Sequence, residues 1–562
     1  MPRTSASISF GLYDVSATEE SIFSADDVQP FVDLDSLKGD GSSTKKWATY
    51  EEDYFEGDGS FWLLPSNPEA YDWGYWSLTQ GEDEPPTLRV DFDSAHSSPG
   101  LTLTFYEFTD DYPDELLITW HGYEGEILFA NTYHPDSAKF YAQQQVNNYF
   151  AVDITFASMS KAKRFAKLSR LDHGVEIFFD REQLVAGTLL EEVNPTGAEI
   201  PINTLSFDLF SKDPYFSIMK PGGVYLLLQE LQPLKVTGRI DKRTFEMGTY
   251  YLEEWNATTD RNLSLKGIDL IGLLDKKTFM GGIYSDVRVY DLVRDLFLAF
   301  DTNVQRYHLD PSLYEIKVSG WLPVCTYREA LQQVAFAIGA LVDTGRGNLV
   351  EIMPTSEDVD LELSLDRKFI GQQLKMEKVV TAVSVVSHEY SAGSERKEVF
   401  KGTMDEGQHL VTFSEPVSDL QITGGSIDES GENYAMLVVD TPGEVVVTGL
   451  LYVDSQAVFT AQKPFIGTGE SENTLWVKDA TLLSRERAAQ KAQQLYDYYL
   501  QRHALTTSFI LGTETVGSMI DVEAFSQQWM RGRIESLSIN LVGGFITEAQ
   551  IRGEPIELPE TE

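Results

Sequence analysis

Along much of the first 170 residues, apolar and polar side chains alternate in short runs separated by Gly, Pro and Asp. Alternation with a period of two is typical of β-strands that bury one face, and several such runs between turn residues predict a β-sandwich. The predicted strands are Ser7–Leu12, Thr87–Phe92, Leu101–Phe105, Leu117–Trp120 and Val152–Phe156.

The pattern changes between Leu252 and Val350, where strand-like and helix-like stretches follow one another. A helix is predicted to open behind Ser285 or Asp286. Spacings of three, four and seven place its apolar residues on one face, which we expect to be buried. These residues are Val289, Leu292, Val293, Leu296, Phe297 and Phe300.

A second helix is predicted from its capping residues. Thr326 and Glu329 have the spacing of a capping box, in which each side chain accepts a hydrogen bond from the other residue's backbone N–H. Gly339 is placed to end this helix. Residues 343–348 then predict a turn, and Leu349–Met353 alternate like a strand.

Composition narrows the classes of function. The chain has 562 residues, 42% of them hydrophobic, which predicts several globular domains. Asp and Glu number 88 against 44 Lys and Arg, giving a net charge of −44, so stable nucleic-acid binding is not expected. We predict synthesis in the cytoplasm, since the chain shows no signal-peptide pattern and no membrane-spanning run.

Candidate chemistry is sparse. Cys325 is the only cysteine, so no disulfide forms within the chain, and a buried apolar role is favoured for it over a reactive thiol. The eight histidines are too scattered to form a local metal motif, although folding could still gather some of them. Motifs for hydrolases, metalloproteases and phosphate loops are absent from the sequence. We therefore predict no catalytic residue, metal or cofactor.

Aromatic residues are concentrated between residues 47 and 76. Exposed aromatic faces stack on sugars and anchor protein interfaces, whereas the alternative is a sandwich core with loops pinned to it. Trp73 and Trp76 fall in what looks like a long loop, so we predict these two as glycan or partner contacts. Trp47 and Trp62 are weaker candidates, because aromatics beside strands are usually core.

Five cations lie within ten residues of this acidic chain, with no acidic residue between them. One interpretation is a docking patch for an acidic neighbour, including another copy of the chain. The other is a solvated edge strand whose charges prevent aggregation. The sequence leaves both open. The residues are Lys161, Lys163, Arg164, Lys167 and Arg170.

Five segments together resemble the phage tail-tip and baseplate hub family. Residues 248–275 resemble its barrel, residues 328–335 and 343–352 its next domain, and residues 484–502 with 519–537 its C-terminal region. The strand order near Ser97–Gly100 and Tyr112–Pro113 is similar to discoidin-type, galactose-binding-like jelly rolls.

With this resemblance the predicted fold is mainly β and multidomain: a jelly-roll β-sandwich followed by hub-type β-barrels and a small α/β domain. The expected boundaries are an N-terminal arm (1–40), the jelly roll (41–176), a hub β-barrel (177–284), an α/β hub domain (285–360), a β domain (361–480) and a C-terminal helix with strands (481–562).

The resemblance implies a structural protein of the virion, a hub at the distal end of the tail tube that lines or closes the channel and anchors peripheral proteins. Implied partners are further copies, commonly as a homotrimer, and the distal tail ring or tube, the tape measure and the fibres. A host surface glycan is a further candidate for the jelly roll. The alternative is a virion or cell-surface carbohydrate-binding protein that acts through its jelly roll.

Overall fold

The computed structural model describes residues 4–39, 48–49, 51, 54, 57, 61, 74–79, 85–106, 111–210, 219, 228, 230–241, 243–300, 306–462 and 472–557. The chain divides into two compact units. Unit 1 comprises residues 1–8, 179–221 and 233–562, and unit 2 comprises residues 9–178 and 222–232. Most of the described residues lie in strands, which confirms the mainly β, multidomain prediction.

The described residues up to 179 include ten strands and one α-helix. The strands are β1 (Thr4–Tyr13), β2 (Ile22–Ser24), β3 (Tyr75–Trp76), β4 (Thr87–Thr104), β5 (Pro113–His121), β6 (Ile127–Tyr133), β7 (Lys139–Met159), β8 (Lys167–Leu168), β9 (Arg170–Asp172) and β10 (Gly174–Phe179). The helix is α1 (Val15–Glu20).

The main sheet of unit 2 has the order β2-β4-β7-β5-β6, with β9 also paired to β4. The long antiparallel strands β4 and β7 lose register between Asp91 and Gly100, and such irregularities bend a strand. Alternate residues, among them Leu88, Val90, Ile154 and Trp120, face a continuous apolar core. The predicted alternation is thus explained by burial of one face of the sheet.

Residues predicted to form an N-terminal arm contribute to this core instead. Asp14 caps α1 through a bond from the Ala17 backbone N–H at 3.0 Å, and Ala17 is fully buried. Leu37, in a 3-10 turn at Leu34–Lys38, is also fully buried. Some apolar residues of this region therefore pack into the core, while Ile22 is 54% exposed.

Unit 1 contains the remaining elements. Its strands are β11 (Leu184–Glu192), β12 (Thr204–Phe210), β13 (Pro233–Ile240), β14 (Arg243–Ala257), β15 (Asn262–Ile268), β16 (Thr278–Phe279), β17 (Gly282–Arg288), β18 (Tyr307–Leu309), β19 (Lys317–Leu322), β20 (Cys325–Thr326), β21 (Ala340–Asp343), β22 (Val350–Pro354), β23 (Val359–Leu363), β24 (Gln373–Met376), β25 (Ala382–Met404), β26 (Gly407–Thr412), β27 (Val417–Thr423), β28 (Ser426–Ser430), β29 (Tyr434–Val439), β30 (Gly443–Gln462), β31 (Thr474–Val477), β32 (His503–Ile510), β33 (Met519–Phe525), β34 (Gln528–Asn540) and β35 (Ile546–Ile556). Its helices are α2 (Leu270–Leu274), α3 (Val289–Phe300), α4 (Tyr327–Ile338) and α5 (Arg485–Leu500).

One large sheet runs through unit 1 in the order β13-β14-β15-β12-β11-β34-β35-β32-β24. At its C-terminal end β33 pairs with β34, and β23 pairs with β33. Within the described residues this sheet does not close on itself, so the strands of residues 177–284, for which a hub β-barrel was predicted, belong to an open sheet. At the other end of the sheet β23 and β24 do not pair with each other. The chain between them crosses the gap instead, since Leu365 N–H donates to Glu523 Oε2 at 3.1 Å and Phe369 N–H to Ser508 O at 2.8 Å.

Helix signals in the sequence are confirmed in part. The capping box of α4 forms between Thr326 and Glu329, and Gly339 ends this helix with a φ of 73°. The apolar face of α3 is buried as predicted, but α3 begins at Val289 because β17 continues through Ser285 and Asp286 to Arg288. α3, α4 and α5 share one apolar core that extends from Ile200 to Tyr496.

Candidate functional site

The cation run of unit 2 centres on a lysine with no exposed side-chain surface. Lys167 Nζ donates to Glu51 Oε1 at 2.7 Å and to Asp111 Oδ2 at 2.9 Å, and both carboxylates are fully buried. Its charge also lies over the rings of Tyr54 and Trp76, 4.7 and 4.8 Å from the centroids. Two carboxylates and two aromatic faces therefore replace the water that this ammonium loses on burial.

These aromatic rings form a second apolar cluster in unit 2, distinct from the main core. Phe31, Tyr54, Trp76 and Tyr106 are its buried members. Phe31 meets Trp76 edge-on at 5.0 Å between centroids, and Tyr54 stacks on Tyr106 at 6.0 Å. Burial raises the pKa of Tyr106 to about 12. The four rings of this cluster are buried.

The prediction that Trp76 is exposed is wrong, because its side chain is fully buried. Trp76 lies in β3, which pairs with β8 in the register Trp76 to Lys167. Neighbouring side chains of a strand point to opposite sides, so Tyr75 enters the main core and Trp76 the aromatic cluster. Trp47, Trp62 and Trp73 lie outside the described residues.

The cation run, for which a docking patch was one interpretation, is divided between buried and exposed side chains. Arg164 is 8% exposed and Lys167 not at all, while Lys161 and Lys163 are exposed. Lys161 and Arg164 each place a nitrogen 3.4 Å from Asp111 Oδ1. Arg170 is half-buried and pairs with Asp172 through its Nε at 2.8 Å. The run thus neutralises buried carboxylates of the same chain, and it does not form one exposed surface.

An exposed aromatic side chain occurs instead at the turn between β5 and β6. Tyr123 is 80% exposed and meets Phe150 edge-on at 5.1 Å. Ile127, 65% exposed, follows the turn, and Glu124 and Glu126 flank the tyrosine. Gly122 and Gly125 on either side are the sequence signal that could have indicated this turn, since Gly125 adopts a φ of 81°.

A buried polar network joins the sheet of unit 1 to its α/β block. Asn203 Nδ2 donates to Asp343 Oδ1 at 2.9 Å and to Thr344 Oγ1 at 3.2 Å, and the Thr344 hydroxyl donates to Asp269 Oδ2 at 3.2 Å. Asp269 also caps α2 through the Gly272 N–H. Burial raises the pKa of Asp269 to about 7 and raises that of Asp343.

The same junction holds a buried ion pair. Arg346, in the turn between β21 and β22, has a φ of 63° and donates to both oxygens of Glu191 at 2.6 and 2.8 Å. Its third contact is the Glu514 backbone oxygen at 2.9 Å. A two-pronged guanidinium–carboxylate contact fixes orientation as well as distance. The network and the ion pair are buried, so their carboxylates are suited to holding segments together.

A cleft of about 380 Å³ lies beside α5. Lys491 lines it and donates to Thr196 O at 2.9 Å, with Nζ 4.2 Å from the Phe336 ring centroid. Burial lowers the pKa of Lys491 to about 7. Arg533, at the other side, donates to the backbone oxygens of Gly517 and Ser356. Both cations therefore donate to backbone carbonyls of loops.

Apolar side chains are exposed along the connection into β24 and on β24 itself. Ile370 is fully exposed, and Met376, Phe369 and Leu374 are 59%, 42% and 37% exposed. β24 hydrogen-bonds β32 on one side, and among the described strands none covers its other side. We call residues 369–376 the β24 edge. It combines unpaired backbone with apolar surface, the usual character of a protein contact.

Metal and membrane sites receive no support from the described residues. No cluster of three or more His, Cys, Asp or Glu side chains suited to a metal ion occurs among them. Among the helices described, none has the length and apolar character needed to span a bilayer.

No protein-family model and no curated protein matches the chain. Solved structures of tail proteins are similar to it over about two thirds of its length. The 43 kDa tail protein of prophage MuSo2 from Shewanella oneidensis is 10% identical, with 68% of this chain and 96% of that chain covered and a TM-score of 0.40. A tail protein from Neisseria meningitidis MC58 is 13% identical, covering 68% and 93%, also with a TM-score of 0.40.

Prophage tail protein gp18 from Listeria monocytogenes EGD-e is 8% identical, covering 67% of this chain and 91% of that chain with a TM-score of 0.37. All three TM-scores lie below 0.5.

Proposed function

We propose that this protein is a structural component of a phage tail tip or baseplate, the hub at the distal end of the tail tube. The observation that carries the proposal is the placement of the hub-like segments. Residues 248–275, 328–335, 343–352, 484–502 and 519–537 all lie in unit 1. Residues 248–275 and 519–537 contribute strands to its large sheet, whereas residues 248–275, 328–335, 343–352 and 484–502 contribute to one apolar core. Segments that resemble successive parts of the hub family therefore lie in one compact unit.

Buried polar contacts within unit 1 support a mechanical role. Arg346 of the α/β block reaches Glu191 of the sheet, and Asn203 links the sheet to Asp343. Breaking a buried charged or hydrogen-bonded contact costs several kcal/mol, roughly 3–5 for an ion pair that loses one partner. Unit 1 is therefore built to resist relative motion of its parts. We assign the protein no enzymatic activity.

The proposal includes assembly into a ring, a homotrimer, that lines or closes the tail channel in the virion after synthesis in the host cytoplasm. Its partners are the distal tail ring or tube, the tape measure protein and the fibres. The net charge of −44 supports a channel wall, because like-charge repulsion lets DNA pass without adhering.

Particle imaging tests this proposal directly. We expect a label fused to unit 1 to appear at the distal end of the tail tube, and a deletion of the gene to give particles without a completed tail end. A matched label on the major tube protein should decorate the whole tube. Label found along the tube, on the capsid or in no particle would contradict the proposal.

A carbohydrate-binding role for the jelly roll is the second candidate, favoured by Tyr123. Its 80% exposed ring offers a stacking face, and Glu124 and Glu126 beside it offer acceptors for sugar hydroxyls. Binding of the protein to host cell-wall glycans should weaken by about 1–3 kcal/mol in Tyr123→Ala if the ring is an anchor. Tyr133→Ala, a change to a partly buried tyrosine of the same sheet, is the control for indirect effects.

A further inference from the structure

We propose that the β24 edge binds the acidic outer edge of β23 in a second copy of this protein, joining copies head to tail. This inference rests on the proposed assembly into a ring and names the surfaces that would form it.

The first support is that both strands have an unpaired edge. β24 bonds only β32, and β23 bonds only β33, within the described part of the chain. Residues 364–372 connect β23 to β24. Leu365 bonds to β33 and Phe369 bonds to β32, so β23 and β24 lie beside different strands. Within one copy, the two edges do not pair with each other.

The second support is exposure of apolar surface. Ile370, Met376, Phe369 and Leu374 lie within eight residues, and each is more than a third exposed. Natural proteins usually protect a free edge with several charges, a proline or a covering loop, yet Lys375 is the one charged side chain between Phe369 and Met376. Such an edge is expected to be covered in the functional state.

The third support is complementary charge. Residues 357–362 contain Glu357, Asp358, Asp360 and Glu362 and no cation, and these four side chains are exposed; Glu357 lies 3.3 Å from Arg533 of the same copy, which leaves the other three acids for a partner. On the other side, Lys375 is 72% exposed and pairs with Glu377 at 2.7 Å, and the exposed Lys378 adds a second cation beside this pair. An alternating acidic strand, Val359-Asp360-Leu361-Glu362-Leu363, matches the basic and apolar β24 edge in both charge and extended form.

A second copy is the partner that these features favour because every copy carries both edges. Pairing β24 of one copy with β23 of the next satisfies both edges with one kind of contact. A contact between two different surfaces repeats around an axis and closes into a ring when its rotation allows.

Disulfide mapping tests the contact, since Cys325 is the only cysteine. In a Cys325→Ser background, Glu362→Cys and Gln373→Cys are made as separate full-length proteins. Mixing the two under oxidising conditions should give a cross-linked heterodimer, and neither protein alone should cross-link appreciably. Cross-linking of Gln373→Cys with itself would mean a symmetrical contact and would overturn the head-to-tail arrangement.

Sedimentation gives an independent test. Ile370→Asp with Met376→Asp should raise the dissociation constant for self-association at least tenfold, as should Lys375→Glu. Adding Glu362→Lys to Lys375→Glu should recover most of that loss. Val453→Asp, at a residue 56% exposed on β30, is the matched control and should leave assembly unchanged.

The outcomes separate the two proposals. If the variant with Ile370→Asp and Met376→Asp assembles as well as the wild-type protein, the contact lies elsewhere and the ring proposal stands. A wild-type protein that stays monomeric at high concentration would count against the ring itself. Melting temperatures of the variants within a few degrees of wild type establish that loss of assembly is not loss of folding.

Discussion

Lys167 and Glu51 form an ion pair of 2.7 Å in which neither side chain is exposed. Asp111 shares the same ammonium at 2.9 Å. Two carboxylates and one lysine therefore meet away from water, and the lysine that marks a basic run in the sequence is a structural centre of unit 2.

We expect Lys167→Met to destabilise the protein by about 3–5 kcal/mol, because it leaves two buried carboxylates without their shared cation. Denaturant unfolding measured by fluorescence gives this change in the free energy of unfolding. Lys161→Met removes a cation with a side chain 44% exposed near the same Asp111, and should cost at most about 1 kcal/mol. Adding Glu51→Gln to Lys167→Met should restore part of the loss, and equal costs for Lys161→Met and Lys167→Met would disprove this role.

Stability should fall as pH rises from about 4 to about 7 because of Asp269. Burial raises the pKa of Asp269 from 3.8 to about 7, so the folded state binds a proton that the unfolded state has released. Its contribution is fully present below about pH 4 and is lost as pH rises through about 7. Each tenfold difference in proton affinity corresponds to about 1.4 kcal/mol.

Asp269→Asn tests this dependence, because asparagine also caps helices but does not titrate. The free energy of unfolding of the variant should change less between pH 5 and pH 8 than that of wild type. Asp286→Asn, at an exposed aspartate, should keep the wild-type slope. A slope unchanged by Asp269→Asn would assign the pH dependence to other groups, Asp343 first among them.

Trp76 and Tyr123 should behave in opposite ways. Trp76→Ala removes a fully buried ring and should cost about 3–5 kcal/mol of stability. Tyr123→Ala alters a side chain that is 80% exposed and should change the melting temperature little. Thermal unfolding of both variants decides the matter. A Trp76→Ala protein as stable as wild type would return this residue to the candidate contacts.

A fragment of residues 9–178 should unfold more cooperatively than one of residues 41–176. The shorter fragment lacks Ala17 and Leu37, which lie in the core, and Asp14, which bonds His96 at 3.0 Å. The free energy of unfolding of the shorter fragment should be lower by at least about 2–5 kcal/mol, the cost of a large core deletion. Circular dichroism melts of the two fragments provide the comparison. Equal stability of the two fragments would support residues 1–40 as a separate arm.

Local chemistry made parts of this fold predictable. The capping box of Thr326 and Glu329, the left-handed Gly339 and the apolar face of α3 involve residues within about a dozen positions of one another. Hydrogen bonding and helical spacing act over such distances, so the pattern alone indicates them.

The sequence pattern does not predict the buried polar sites, because their partners lie far apart in the chain. Lys167 is 116 residues from Glu51 and 56 from Asp111, and Asn203 is 140 residues from Asp343. Nothing near Lys167 in the chain identifies its partners, so a run of cations looked like a surface. Trp76 was misassigned because its strand is buried on both sides, a condition that an alternating pattern does not express.

β1 begins in unit 1 and ends in unit 2, and its residues Ala6 and Ile8 are buried. The chain returns to unit 1 at Phe179, so residues 9–178 are an insertion framed by unit 1 sequence at both ends. Unit 2 also includes residues 222–232, so exchange of the whole module between related genes would require recombination points near residues 8 and 179 and on both sides of that second segment. An amino-terminal deletion reaching past residue 8 would remove a strand from unit 1 along with the module it was meant to trim.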